Sequence, residues 1–254
     1  MLSKVDLYYF SPTGGTKKAA ECFCEGISKD IKAMNLGTRD KAVEDPNSEL
    51  VVIAAPVFGG RIPSIMAEKL NKLNGGGKKA VTLAVYGNRA YEDALLELNN
   101  IVSERGFQIA ASAALVAQHS MAPEVGRGRP DAQDKAEILA FAGKVLAKLE
   151  GPGGVETPVK VPGNYPYKNA MSMPVTPISL PSCSMCGKCV SACPTGAIRL
   201  ENSVITSPEK CILCMACTAA CPENARILPP PLQEKMNQML GALKSVRKGN
   251  EYFL

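Results

Sequence analysis

The sequence of 254 residues predicts a doubly wound α/β sheet of about 150 residues, followed by a small cysteine-rich α+β module. Three observations carry this prediction. Up to residue 150, apolar runs of strand length alternate with stretches whose apolar residues recur at helical spacing, the pattern of a parallel sheet covered on both faces. Three turns (11–16, 56–63 and 87–91) are rich in small residues and leave the carboxyl ends of strands, where such sheets bind ligands. Finally, eight of the ten cysteines fall between Cys183 and Cys221, in two copies of one spacing, C-x2-C-x2-C-x3-C-P.

Taken in order, Lys4–Phe10 reads as a buried strand running into Ser11-Pro12-Thr13-Gly14-Gly15-Thr16, with a helix from about Thr16 to Lys29. A hydroxyl- and glycine-rich turn at a helix N-terminus offers free N–H groups and a favourable dipole to a phosphate. The turn has neither G-x-x-x-x-G-K-[ST] nor G-x-G-x-x-G, which argues against a nucleoside triphosphate or a dinucleotide. Ile31–Leu36 is a second strand. Glu49–Ala55 is a continuous apolar run, as a central parallel strand should be, and ends in the loop Pro56 to Pro63. The next helix carries Ile62, Met66, Leu70 and Leu73 on one face. Lys79–Tyr86 is a fourth strand, followed by a helix with Ala94, Leu95, Leu98, Ile101 and Val102 at helical spacing. Phe107–Ala117 is the fifth strand, and a last helix from Pro130-Asp131 buries Ile138, Phe141, Ala142, Val145 and Leu149. Phosphate on the first loop and a ring between the other two is the layout of a flavin mononucleotide (FMN) site.

The domain boundaries follow as 1–150 for the sheet, 151–181 for a connector, 182–228 for the cysteine module and 229–254 for a C-terminal helix and tail. The connector holds seven prolines and no periodicity, and reads as a stiff strap along the surface. Leu232–Val246 is an amphipathic helix with Leu232, Met236, Met239, Leu240 and Leu243 on one side, expected to dock on the two domains. In the module, three thiolates two residues apart wrap three irons of one cubane, and the cysteine before proline reaches the other cubane, as in bacterial two-cluster ferredoxins. Cluster I is therefore assigned to Cys183, Cys186, Cys189 and Cys221, and cluster II to Cys211, Cys214, Cys217 and Cys193. Both are expected to be [4Fe-4S] clusters; a three-iron cluster at one site after oxidation stays open. Zinc has no use for the third cysteine or the trailing proline. No signal peptide is read at the start, which argues against disulfides.

A hydrophobic content of 46% and a charged content of 21% read as soluble and globular, and no apolar run is long enough to cross a bilayer. The clusters imply a reducing cytoplasm. The formal charge of +5 is nearly cancelled by two clusters at about −2 each, and no Lys/Arg stripe interleaved with aromatics points to nucleic acid. Cys22 and Cys24 read as packing residues, Met185 and Met215 as apolar shielding of the clusters, and His119, the single histidine, as a satisfied structural residue.

The first half of the chain resembles a flavodoxin, and nearly all of it is similar to fusions in which a flavodoxin-like domain precedes a two-cluster ferredoxin. The resemblance is carried by residues 10–16, 56–63, 86–91, 118–120 and 128–131 and by the cysteine array. It implies that Ser11, Thr13, Gly14, Gly15 and Thr16 hold the FMN phosphate. It also implies that the ring lies between Pro56, Val57, Phe58, Gly59 and Gly60 on one side and Tyr86, Gly87, Asn88, Arg89 and Tyr91 on the other. Phe58 is the stacking candidate in the second loop, Tyr86 or Tyr91 in the third. Arg61 and Arg89 stand where typical flavodoxins are acidic; an unpaired positive charge ~8 Å from a reduced flavin would favour it by about 2 kcal/mol at an effective dielectric of ~20. The expected function is an electron carrier passing low-potential electrons between the clusters and FMN, serving donor and acceptor proteins not identified by the sequence. Two alternatives remain: an FMN-dependent reductase of a small molecule, with His119, Tyr91 and Ser120 the first residues to suspect near the ring, and a ferredoxin whose first half only docks. No catalytic residue is assigned.

Overall fold

The first strand, Val5–Tyr9 (β1), is buried at every position and lies between Ile31–Asn35 (β2) and Leu50–Pro56 (β3). β3 pairs with Lys79–Tyr86 (β4), and β4 with Gln108–Val116 (β5), all in parallel. The order β2-β1-β3-β4-β5 is the flavodoxin-like doubly wound order, whose switch point lies between β1 and β3. Strands as apolar as these need cover on both faces. Gly15–Glu25 (α1) and Ala132–Glu150 (α4) cover one, packing Phe23, Phe141 and Val145 on Leu7, Val52 and Leu83. Ser64–Leu70 (α2) and Ala94–Glu104 (α3) cover the other, packing Met66, Leu70 and Leu98 on Tyr8, Val51 and Ile53. Cys22 and Cys24 are buried in the first of these cores, as packing residues. The computed structural model describes residues 1–151, 158–171 and 173–254.

The module contributes Ile178–Ser179 (β6), Lys188–Ala192 (α5), Ile198–Leu200 (β7), Val204–Thr206 (β8), Ala216–Ala219 (α6) and Arg226–Ile227 (β9). β6 pairs antiparallel with β9, and β7 with β8. The next helix, Pro230–Leu240 (α7), starts earlier than expected, because proline is tolerated in a first helical turn. It gives way at Gly241 to a short 3-10 turn, Gly241–Leu243, not continuing to Val246. Glycine costs an α-helix about 1 kcal/mol. Leu232, Met236 and Leu240 pack inward, whereas Met239, expected on the same side, is 62% exposed.

One element goes beyond the expected five-stranded parallel sheet, whose five strands are all present. Glu251–Phe253 (β10) adds a sixth strand, antiparallel to β5, with Tyr252 opposite Ala113 and its ring 4.7 Å from Phe141. Three residues carry no readable periodicity; the open edge of β5 specifies the strand.

α7 joins the two halves. Its Leu232 and Met236 share a core with Met121 of the sheet domain and with Leu213 and Met215 of the module, and Gln233 donates to the Met121 carbonyl at 3.0 Å. Arg39 donates to the Val190 carbonyl at 3.3 Å. The described part of the connector is strapped to α3: the Asp93 carboxylate accepts the amides of Asn164 and Lys168, both at 2.8 Å. Residues 152–157 and Ser172, also within the expected connector, lie outside the described residues.

Candidate functional site

The two cysteine loops fold alike, residue for residue. Met185 and Gly187 in the first, and Leu213 and Met215 in the second, are all left-handed, with φ of 57°, 75°, 50° and 64°. The returning segments match too: Gly196 and Asn224 have φ of 65° and 49°, and the amides of Ala197 and Ala225 donate to the Cys193 and Cys221 sulfurs at 3.2 Å. A non-glycine residue held there costs about 1–3 kcal/mol and persists only where its surroundings over-determine it. Such turns aim successive N–H groups inward, a concavity found at many iron–sulfur sites. The two methionines expected to shield the clusters stand differently. Met215 is buried, Met185 is exposed, and both hold a backbone conformation.

Cys193, Cys211, Cys214 and Cys217 line one internal cavity, so the first repeat does deliver its fourth cysteine to the second set. In the other set, Cys183 is a charge neighbour of Cys189. Among the described residues no three His, Cys, Asp or Glu form a site for a single metal ion. Thiolates that each bind a different corner of a cubane stand on a wider tetrahedron than ligands of one ion. The sets differ in depth. In the first set Cys186 is exposed, Cys183 and Cys221 half-buried and Cys189 buried; in the second Cys211 is half-buried and Cys193, Cys214 and Cys217 are buried. Burial pushes the Cys214 thiol up to about 12. The Lys188 amide pulls Cys186 down.

A second cavity opens at the carboxyl ends of the strands. Thr13, Gly15 and Thr16 line it from the first loop, Pro56, Val57, Phe58 and Gly59 from the second, and Tyr86, Gly87 and Arg89 from the third. The first loop fits a phosphate. α1 has no side-chain cap, Gly14 is left-handed at φ 91°, and the amides of Thr13, Gly14, Gly15 and Thr16 have no hydrogen-bond partner among the described residues. Five expected residues stand outside this lining. The Ser11 hydroxyl accepts the Lys17 amide at 2.9 Å, Gly14 lines a separate cleft between α1 and α4, and Gly60 backs onto Glu92. Asn88 and Tyr91 serve the C-terminal tail: Asn88 donates to the Val246 carbonyl at 2.7 Å, and the Tyr91 hydroxyl donates to Glu251 at 2.7 Å.

The remaining walls come from distant sequence. Ile212, Leu213 and Cys214 of the second cysteine loop, Met171 of the connector, and Met236 and Leu240 of α7 close the cavity. Cys214 and Ala216 belong to the same apolar core as Phe10, with Phe58 and Ile212 packed against it, and the Phe10 and Phe58 rings stand 6.3 Å apart. No signal in the sequence announces this wall, since it depends on how the module docks.

The arginines are not free charges. Arg61 makes a two-pronged pair with Glu97 at 2.8 and 2.7 Å and stacks 4.8 Å over the Tyr167 ring. Arg89 pairs with Glu92 at 2.8 Å. Arg61 is therefore matched by a carboxylate of its own, whereas Arg89 shares Glu92 with Lys168; Glu97 and Glu92 are the residues that sequence reasoning missed.

His119 lines the cavity with one nitrogen accounted for: Nδ1 accepts the amides of Met121 and Ala122, both at 3.2 Å. That fixes the neutral tautomer with its proton on Nε2. Its ring lies against Gly87, where a β-carbon would come within 2.6 Å of Cδ2. Burial, helped by the Arg89 charge, lowers its pKa to about 4. Between the ordinary histidine value and about 4, the unfolded chain binds a proton that the native protein does not. Stability should thus fall as pH drops through that window, by at most about 1.4 kcal/mol per pH unit from this group. Denaturant midpoints between pH 7 and 4.5 should show a slope that His119→Gln reduces; an unchanged slope would refute the assignment.

Residues 182–225 match the family model of the 4Fe-4S dicluster domain. No curated protein matches the chain. Among solved structures it is similar to the Streptococcus pneumonia TIGR4 flavodoxin, at 17% identity and a TM-score of 0.45 over 57% of this chain and 99% of that one. Oxidised flavodoxin 1 from Bacillus cereus gives 16% identity and a TM-score of 0.45 over 58% of this chain and 100% of that one. A flavodoxin from the domain Archaea gives 19% and 0.44, over 58% and 99%. The fold assignment itself rests on the strand order.

Proposed function

We propose that this chain is an electron-transfer protein whose two cysteine sets each hold a [4Fe-4S] cluster and whose strand-end cavity holds FMN. When bound, the clusters supply single low-potential electrons and the flavin accepts one or two. The observation that carries the reading is shared lining: Cys214, a ligand of the inner set, is also a wall of the strand-end cavity. Thr13 to Thr16 would hold the phosphate with free amides. Phe58 and Tyr86 would flank the ring. Ile212 and Leu213 would fill the space between ring and cluster, and α7 would keep water out. The exposed Cys186 marks cluster I as the port for donor and acceptor proteins, cluster II being the inner relay. No helix among the described residues is long and apolar enough to cross a membrane, and a reducing, cytoplasmic setting suits the thiolates.

Anaerobically purified protein should carry about eight irons and eight sulfides, two clusters of four, and about one FMN per chain. Flavin reduction by a one-electron donor should follow cluster reduction at a rate independent of protein concentration. A rate that rises with protein concentration would mean transfer between molecules and would defeat the reading. The reductase alternative has one observation in its favour. A second cleft, reaching Arg61 and Ser64, shares Phe58, Met171, Ile212 and Leu213 with the cavity and gives a small acceptor a way in. Turnover of a small acceptor without any partner protein would favour it.

A further inference from the structure

Arg226 is 3% exposed, at the start of β9, five residues beyond Cys221, whose sulfur already accepts the Ala225 amide. Its Nη1 donates to the Ser179 hydroxyl at 3.1 Å and its Nη2 to the Thr206 hydroxyl at 2.8 Å. Its Nε is buried without a hydrogen-bond partner, and among the described residues no carboxylate pairs with it. The contrast with the other buried arginine is direct: Arg129, 6% exposed, is matched to Asp134. A buried guanidinium held by two neutral hydroxyls is among the costliest arrangements a protein can keep, and a compensating negative charge must come from somewhere.

Its neighbours say where. On one side, Thr206, which accepts from Nη2, lines the same cavity as Cys193, Cys211, Cys214 and Cys217 of the inner set. On the other, Ala225, the residue just before Arg226, donates to the sulfur of Cys221 in the outer set. The guanidinium therefore stands between the two sets, within electrostatic reach of both.

We infer that Arg226 is a shared counter-charge for the two clusters, neutralised by them when they are bound, and a residue that sets both reduction potentials. This rests on the reading that each cysteine set holds a cubane. An oxidised cubane with four thiolates carries about −2, and adding an electron makes it more negative. A fixed cation between the sets favours the reduced state of both, so its loss moves both potentials in the negative direction. Without iron the same cation is uncompensated, so Arg226 also ties assembly of one cluster to the other.

The test uses the full chain, purified anaerobically and reconstituted with iron and sulfide, with iron content and EPR-monitored redox titrations as readouts. Arg226→Gln holding wild-type iron should titrate at more negative potentials in both clusters, while Arg226→Lys, which keeps the charge, stays near wild type. If Arg226→Gln holds no iron, Arg226→Lys against Arg226→Met decides: the lysine variant should load and the methionine variant should not. A fully loaded Arg226→Gln with wild-type potentials overturns the inference. Where Arg226→Gln holds no iron, equal loading, or equal failure, of the lysine and methionine variants overturns it too, because the role would then be packing. A wild-type chain with fewer than about eight irons would instead overturn the two-cluster reading beneath it.

Discussion

Replacing Cys214 by Ala is expected to lower iron from about eight atoms per chain toward about four, and to slow flavin reduction by an external one-electron donor by roughly ten-fold or more. Cys214 is the single cysteine common to the inner set and the strand-end cavity. Its loss should remove the relay while Thr13 to Thr16 and the ring loops still bind FMN at wild-type stoichiometry. The remaining cluster would then be held by the set that contains the exposed Cys186 and lends no cysteine to the cavity wall. Iron analysis, flavin quantitation and anaerobic stopped-flow absorbance measure all three quantities. Flavin reduction at the wild-type rate in a variant shown to lack the inner cluster would mean that electrons reach the cavity by another route.

The second large effect is structural. Asp134→Ala should destabilise the protein by about 3–5 kcal/mol, the usual consequence of breaking a buried ion pair and leaving its partner charged. That corresponds to a fall in midpoint temperature of roughly 6–20 °C for a domain this size. Asp134 is fully buried and receives the Arg129 guanidinium, the Asp131 amide at 2.9 Å and the Asn250 side chain at 3.0 Å. It also completes the capping box of α4. The same cluster clamps the tail: Arg247 binds Asp131 at 2.6 Å, Arg129 donates to the Lys248 carbonyl at 2.6 Å, and Asn250 accepts the Val116 amide at 2.9 Å. The variant should therefore also release residues 243–254, seen as faster tryptic cleavage at Arg247 and Lys248. Thermal unfolding close to wild type would show that the pair is not buried in solution.

Asp131 and Asp134 were legible only as the start of a helix. Nothing local says that they hold down a strand 120 residues later, because that strand is three residues long and its partner is an edge. The same holds for the cavity. The ring loops stand out from their small residues and strand-end positions, and ten of the expected residues line it together. Asn88 and Tyr91 sit in the same loop by sequence but turn their polar groups to the tail, a choice made by which side of the loop the tail covers. Arg61 and Arg89 could be seen as charges, and Glu92 is only three residues from Arg89; that Glu97 pairs with Arg61 could not be seen, since it lies a helix away.

The alternating strands and helices, the three strand-end loops and the eight cysteines in two equal spacings can be read directly from the residues. These are short-range signals, written in hydrophobic period and in the reach of a few bonds. The folded chain alone reveals that the inner cysteine set shares a wall with the strand-end cavity, that Cys186 of the outer set is exposed, that a sixth strand locks the tail, and that Arg226 is buried without a carboxylate among the described residues. Each of these joins residues far apart along the chain, and what joins them is the burial of apolar surface between domains, which depends on the whole shape and on no local pattern.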